Sequence, residues 1–552
     1  MGRGGFVMRG ALDESTTRAR PTDQAAPTIE PVTRPVAGPT GKSGPPAAAL
    51  LAVAAPDRWF VSVLVLVVGN FMAVLDVTIV NVAVPAIQKD FGGSLDDVLW
   101  IATAYTLMLG VVVPLSGWLG DRFGLTKVYM GSLLGFAVGS ALCGIAWNLD
   151  TLIAFRILQA VFGGIMPVVA MTLLYRIVPP VKIGVAMGIF GIGTVFAPAT
   201  GPVLGGYLVE YFNWRLVFYL NVPIGILGAI ASFMVLPKLG AAAARRFDVA
   251  GFVCVAFGLF AVLLAVSEGS TWGWTSYPVL ILLAAGVNSL VLFVLIELQV
   301  EQPLLDLRTF KVRQFSNSLV LLAVLQVNLL AISFYVPVFL QQGQGMQAFD
   351  AGLLMLPQAV VMGVLMPIVG RVYDRIGPRW VSVIGLAVCA YGTFLLCGTT
   401  TDLTRADIIM WTCVRGIGMG LALMTIMTAG LGAVPPAQTN QASALNNVAR
   451  QVSGALGLAV YSAMSTAQQA QLMANRSPLL TESGPTVDPR VLAMEKQGPA
   501  GLLPLWQQLQ LHVAAEAYGN IFLITAATTG AGVVLALFLR TRSGGGRHAI
   551  DI

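Results

Sequence analysis

The chain has 552 residues, of which 56% are hydrophobic and only 11% charged, against about 25% charged in an ordinary soluble protein. So few charges cannot cover a water-facing surface, which excludes a soluble globular protein. The net charge of +6 does not mark a nucleic-acid binder either, because the basic residues are scattered through short connections rather than gathered on one face with aromatics.

Residues 1–57 are rich in Pro, Ala, Gly, Thr and Arg with no sustained apolar period, which predicts a disordered tail. The tail lacks the apolar core of a signal peptide, and Met8 is an alternative start. "GPTGKSG", Gly38 to Gly44, only superficially suggests a phosphate-binding loop: Val36 stands where a further Gly is needed and no strand precedes it, so a linker is expected.

From residue 58 onward apolar runs of about 20 residues recur, each long enough to cross about 30 Å of hydrocarbon as a helix. Fourteen spans are predicted, beginning near Trp59, Val98, Val128, Thr151, Gly184, Trp214, Val249, Val279, Phe315, Ala351, Trp380, Ile408, Ala442 and Tyr518. The fold class is therefore an all-α polytopic membrane protein. Connections after the even-numbered spans, up to the tenth, carry thirteen Lys and Arg; those after the odd-numbered spans, up to the eleventh, carry three, Lys89, Arg215 and Arg405. The positive-inside rule places the first set and both termini in the cytoplasm. Residues 465–516, the one long connection, are then external, and "LLPLWQQLQLHVAAEAYG" within them has the spacing of an amphipathic helix lying on the membrane surface.

An internal echo divides the chain. "GWLGDRFGLTK", Gly117 to Lys127, recurs as "GRVYDRIGPRW", Gly370 to Trp380, at an offset of 253, and "RILQAVFGG" from Arg156 is matched loosely by "RGIGMG" from Arg415 at 259. Six helices alone give an offset of about 180 at roughly 30 residues per span and loop. The surplus is two more helices. The expected organisation is a six-helix bundle over 58–237, two inserted helices over 238–312, a second six-helix bundle over 313–541, and a cytoplasmic tail over 542–552.

Chemistry concentrates in a few polar residues. "FMAVLDVTIVNVAVP" in the first span carries Asp76 and Asn81. A carboxylate near mid-bilayer costs roughly 2.5–3.5 kcal/mol on insertion scales, so an idle one would not persist there. Arg156, entering the fourth span from the other direction in sequence, reaches a similar depth. Burial raises a carboxyl's proton affinity and a nearby Arg lowers it, so movement between the two would take up or release a proton. Asp76 is the candidate proton carrier and Arg156 the group that tunes it, with a static pair tying two helices as the competing reading. Asp121 and Arg122, repeated as Asp374 and Arg375, suggest a conformational latch on each half, and a plain solvated turn is the alternative. In the second half "NNVARQVSGALG" places Arg450 beside Asn446, Asn447 and Gln451. With Asn81 of the first span, Gln326, Asn328, Tyr335, Gln341 and Gln342 of the ninth and Tyr105 of the second, these are candidates for the polar wall of a cavity, with ordinary packing an equal alternative for those of the ninth and second spans. The five cysteines lack CxxC spacing and read as small buried hydrophobes. His512 and His548 lie outside the spans. No metal-ligand cluster or nucleophile–base pair occurs, so no enzyme and no cofactor is expected.

Four motifs in order, "LDVTIVNVAVP", "GWLGDRFG", "RILQAVFGGIMP" and "APATGPVLGG", resemble the signatures of the major facilitator superfamily. The first of them, with "NWRLVFYLNVPIG", is similar to its fourteen-helix drug:proton antiporter branch, the EmrB/QacA type. The resemblance covers about residues 58–540. It implies the major facilitator fold and efflux of hydrophobic compounds against protons, by alternating access and without nucleotide. It makes Gly201, Pro202, Gly205 and Gly206 the antiporter motif that bends the fifth span and seals against proton leak. Gly117, Asp121, Arg122 and Gly124 fall in its latch loop. A periplasmic adaptor and an outer-membrane channel are the partners it implies in a cell with two membranes. A dedicated exporter of one metabolite, such as a siderophore, antibiotic or lipid, would carry the same motifs.

Overall fold

A computed structural model describes residues 58–92, 94–239, 247–398, 403–435, 438–476 and 499–539. The two tails, Arg245 and Arg246, and the side chains of Gln342 and Asp374 lie outside what it describes. Among the described residues the chain is helical throughout: α1 (Trp59–Phe91), α2 (Leu95–Val112), α3 (Leu115–Phe123), α4 (Leu125–Gly144), α5 (Leu149–Ile177), α6 (Ile183–Tyr211), α7 (Arg215–Tyr219), α8 (Asn221–Val235), α9 (Val249–Trp272), α10 (Tyr277–Gln299), α11 (Arg313–Gly343), α12 (Ala348–Ile376), α13 (Pro378–Leu395), α14 (Arg405–Leu431), α15 (Thr439–Arg476) and α16 (Pro499–Ala536).

Local chemistry sets the breaks. Ser94 opens α2 with a capping box, its hydroxyl accepting from the Asp97 N–H at 3.1 Å while its own N–H donates to the Asp97 carboxylate at 3.1 Å. Asn148 does the same for α5 with Thr151. Pro114 supplies no N–H, and α2 and α3 meet there at 57° as one bent span. Gly124, at φ 87°, ends α3 and starts α4 in a backbone conformation that a side chain would strain.

Twelve helices among the described residues are long and apolar enough to cross a membrane, or thirteen with the bent pair α2–α3 as one span. The remaining expected span, near Ala442, corresponds to α15. Its polar residues, Asn440, Gln441, Asn446, Asn447, Arg450 and Gln451, hold its hydropathy below that of the others. The chain is a multi-pass membrane protein.

One expectation is overturned at the far end of the chain. The segment read as a surface helix and the span expected from Tyr518 are a single helix, α16. Nothing between Trp506 and Tyr518 breaks a helix, and its lower part is held by packing: Val513, Ala515 and Ala517 are buried and Tyr518 lies 5.4 Å from Tyr335 of α11, ring to ring. Glu516 also pairs with Arg476, so α15 and α16 are tied where they emerge.

In lipid the hydrophobic effect does not drive helices together, so close backbone approach and van der Waals packing must. Small residues mark these contacts. A Cβ on Gly370 of α12 would stand 2.2 Å from the Gly184 carbonyl oxygen of α6, and one on Gly188 would stand 2.4 Å from the Met366 carbonyl oxygen. These pairs join the two halves along α6 and α12. The inserted α9 wedges between α2 and α15: Leu263 faces Gly110, and Val262 and Val266 pack on Ala459 and Ala455. Its partner α10 exposes Leu280, Ile281, Val287, Val291 and Leu292 on the periphery.

Candidate functional site

Asp76 of α1 is fully buried, and its carboxylate meets donors from two other helices. Arg156 of α5 donates from Nη1 to Oδ2 at 2.5 Å. Gln159, one turn along α5, donates to Oδ1 at 3.1 Å, and Asn221 at the start of α8 donates to the same oxygen at 2.9 Å. Ser140 of α4 accepts from both amides, at 3.1 and 3.2 Å, and passes its own proton to the Phe218 carbonyl at 2.8 Å. The Arg156 guanidinium also lies 3.8 Å above the Tyr105 ring of α2. Five helices therefore converge on one carboxylate.

That arrangement constrains proton chemistry. A carboxylate has about four lone-pair sites, and three here already receive N–H donors. Oδ1 takes two of these and Oδ2 takes only the Arg156 N–H among the described residues, so one lone pair of Oδ2 stays open beside the guanidinium. Tyr105 gives the guanidinium an aromatic face to rest on while it holds the carboxylate. Reading of the sequence missed Gln159, Asn221 and Ser140; the first two stand inside quoted motifs, and a polar residue within an apolar span was the available signal.

The glycines of α6 face α1. A Cβ on Gly201 would stand 2.2 Å from Thr78 Oγ1, and one on Gly205 would stand 2.9 Å from the Ile79 carbonyl oxygen. A Cβ on Gly352 of α12 would stand 3.5 Å from Pro202 Cβ, while Gly206 is half-buried. Overpacking such a contact costs about 1–3 kcal/mol. Gly205→Val is expected to lower the melting midpoint of the purified protein and to speed the passive decay of a pH gradient in vesicles, because backbone rather than a mobile side chain blocks the added methyls. An unchanged decay rate would remove the sealing role.

At the α3–α4 turn, Asn440 of α15 donates to the Gly117 carbonyl at 2.6 Å and to Asp121 Oδ1 at 3.4 Å, and accepts from Thr172 of α5 at 3.2 Å. Asp121 and Gly124 are buried and Arg122 exposed. The Gly117–Gly124 segment thus touches α15 through a residue that was not singled out. In the second half Arg375 is exposed. Of the cavity candidates, Arg450 donates to Gln326 at 3.2 Å. Asn328 is buried and donates to Thr393 and Thr529. Tyr335 packs on Tyr518. Asn446 is buried with neither amide atom paired among the described residues. Asn81 and Gln341 are exposed.

Known proteins agree with this architecture. The model of the Major Facilitator Superfamily matches residues 66–458. The "Multidrug resistance protein B homolog" of Mycobacterium tuberculosis is 32% identical over 511 residues, covering 90% of this chain and 93% of that one. The multidrug export protein EmrB of Escherichia coli K12 is 29% identical over 434 residues, 78% and 84% of the two chains. Among solved structures, the proton:xylose symporter XylE shares the fold with a TM-score of 0.54 at 14% identity, over 85% of this chain and 95% of that one. The chain belongs to the Major Facilitator Superfamily, on its EmrB-type branch.

Proposed function

We propose that this protein exports hydrophobic toxic compounds across the cytoplasmic membrane in exchange for protons, with Asp76 as the proton carrier. The observation that carries the reading is the buried carboxylate held at 2.5 Å by a single counter-charge, Arg156, at the meeting point of five helices. The relatives named for multidrug export and resistance supply the substrate class. Protonation of Asp76 frees Arg156, which loosens α1 from α5 and biases the two six-helix halves toward the alternative arrangement. The inserted helices move with neither half alone, since α9 packs on α2 and α15 together. No bond is made or broken and no cofactor is needed. A proton driven by 100 mV contributes about 2.3 kcal/mol, and one pH unit about 1.4 more, enough for a roughly 500-fold gradient of a neutral compound.

Both termini are assigned to the cytoplasm by the distribution of Lys and Arg. In a cell with two membranes, a periplasmic adaptor and an outer-membrane channel would carry the compound onward. Everted vesicles holding an imposed pH gradient test the function: lipophilic cations, weak acids and neutral drugs are added in turn, and some are expected to collapse the gradient only where the protein is present. A panel with no active member would refute broad export and turn the search to a single native compound.

A further inference from the structure

The two halves repeat one polar cluster with a charge missing from the second. Asp76 of α1 corresponds to Asn328 of α11 at an offset of 252, and Tyr105 and Ser140 correspond to Gln358 and Thr393 at 253. The fourth helices need a correction to the looser match of Arg156 with Arg415. A Cβ on Gly164 would face the Leu109 carbonyl oxygen at 3.0 Å, and one on Gly420 would face the Met362 carbonyl oxygen at 3.4 Å. Leu109 and Met362 are again 253 apart, so Gly164 and Gly420, 256 apart, are equivalent. The next contact agrees: Gly139 lies against the backbone of Gln159, and Gly392 against the backbone of Arg415. Arg415 therefore stands at the place of Gln159, and Thr412 at that of Arg156.

In the first half the Gln159 amide bonds a carboxylate. In the second half no buried carboxylate among the described residues is there for Arg415 to meet. Asn328 spends its N–H2 on Thr393 Oγ1 at 3.1 Å and Thr529 Oγ1 at 3.0 Å, and its Oδ1 faces the Cys389 thiol at 3.8 Å. Arg415 is 0% exposed, and none of its three side-chain nitrogens has an acceptor among the described residues. Beside Gly416, the Gln358 Oε1 also has no partner. The buried carboxylates among the described residues, Asp76, Asp121 and Glu297, all precede the second half. Arginine stays charged in proteins, so the group cannot relieve its burial by losing a proton. An uncompensated buried charge is strongly destabilising, and an anion is what resolves it.

We propose that Arg415 forms an anion site in the C-terminal half, taking a halide or the carboxylate of a transported compound in the role that the Asp76 side chain plays in the N-terminal half. One half then carries its negative charge covalently and exchanges a proton, while the other borrows its negative charge from solution. Gln358 can turn its amide to donate beside Arg415. The site stands apart from the export reading, because its test reads binding rather than transport.

The test uses the purified full-length chain in detergent, with melting followed by tryptophan fluorescence. Sodium chloride or sodium benzoate replaces sodium gluconate, whose hydroxylated chain keeps its own carboxylate out of an apolar site, at constant ionic strength. The wild-type midpoint is expected to rise and saturate with one or both probes. Asn328→Asp supplies the carboxylate internally, so it should melt as high in gluconate alone and lose the response. Arg415→Gln should raise the half-effective concentration at least about tenfold, equivalent to about 1.4 kcal/mol. A response to chloride alone identifies a halide site, and a response to benzoate alone identifies a site for organic carboxylates. Identical wild-type midpoints in all salts, or a full response kept by Asn328→Asp, would overturn the proposal; the second comparison decides even where Arg415→Gln does not fold.

Discussion

Asp76→Asn is expected to abolish substrate-driven proton release from everted vesicles, reducing it to the level of vesicles without the protein. The carboxamide keeps the size of the carboxylate and can still accept from Asn221 and Gln159, but it neither carries a proton nor balances Arg156. Removing one partner of a buried pair costs about 3–5 kcal/mol, so the variant should also melt lower than wild type. Loss of flux through simple unfolding is separable from loss of coupling. The double variant Asp76→Asn, Arg156→Gln removes both charges and so leaves no uncompensated one buried. It should recover most of the melting midpoint and none of the proton release. Proton release persisting at wild-type level in Asp76→Asn would place the coupling site elsewhere.

The second large effect is expected at Asn440. This amide, 1% exposed, bonds the α3–α4 turn and α5 from the opposite half, and nearby Ser443 of α15 donates to the Val168 carbonyl at 3.3 Å. Asn440→Leu leaves the Gly117 carbonyl and the Thr172 hydroxyl without this partner. A buried polar group left unpaired costs about 1–3 kcal/mol, and the cost vanishes when that end of the molecule opens to water. The equilibrium between closed and open forms should therefore move by about five- to 150-fold. Spin labels on exposed Lys127 and Arg375, placed in a cysteine-free background, report the distance between the two halves at this end. A longer-distance population should grow in Asn440→Leu. An unchanged distance distribution would mean that α6 and α12 alone hold the closure.

Composition and periodicity determined the membrane class and the helical fold, because a span of about 20 apolar residues has no alternative to the helix in lipid. Backbone groups there must bond within their own segment, which makes the local sequence sufficient. Asp76 and Arg156 were legible for a related reason: an ionisable residue in an apolar span is conspicuous by its cost. The long helix α16 was not, since a surface helix and the start of a span share the same apolar spacing until it is known what packs against them. Gln159, Ser140 and Asn221 gained their meaning only from convergence, as amides and hydroxyls from three helices whose separation in sequence carries no distance. The same holds for Arg415. Matching its sequence neighbourhood aligned it with Arg156, and the glycine contacts of α14 moved it one turn, to the place of Gln159. Helix register is set by which small residues let two backbones touch, and that is decided in three dimensions.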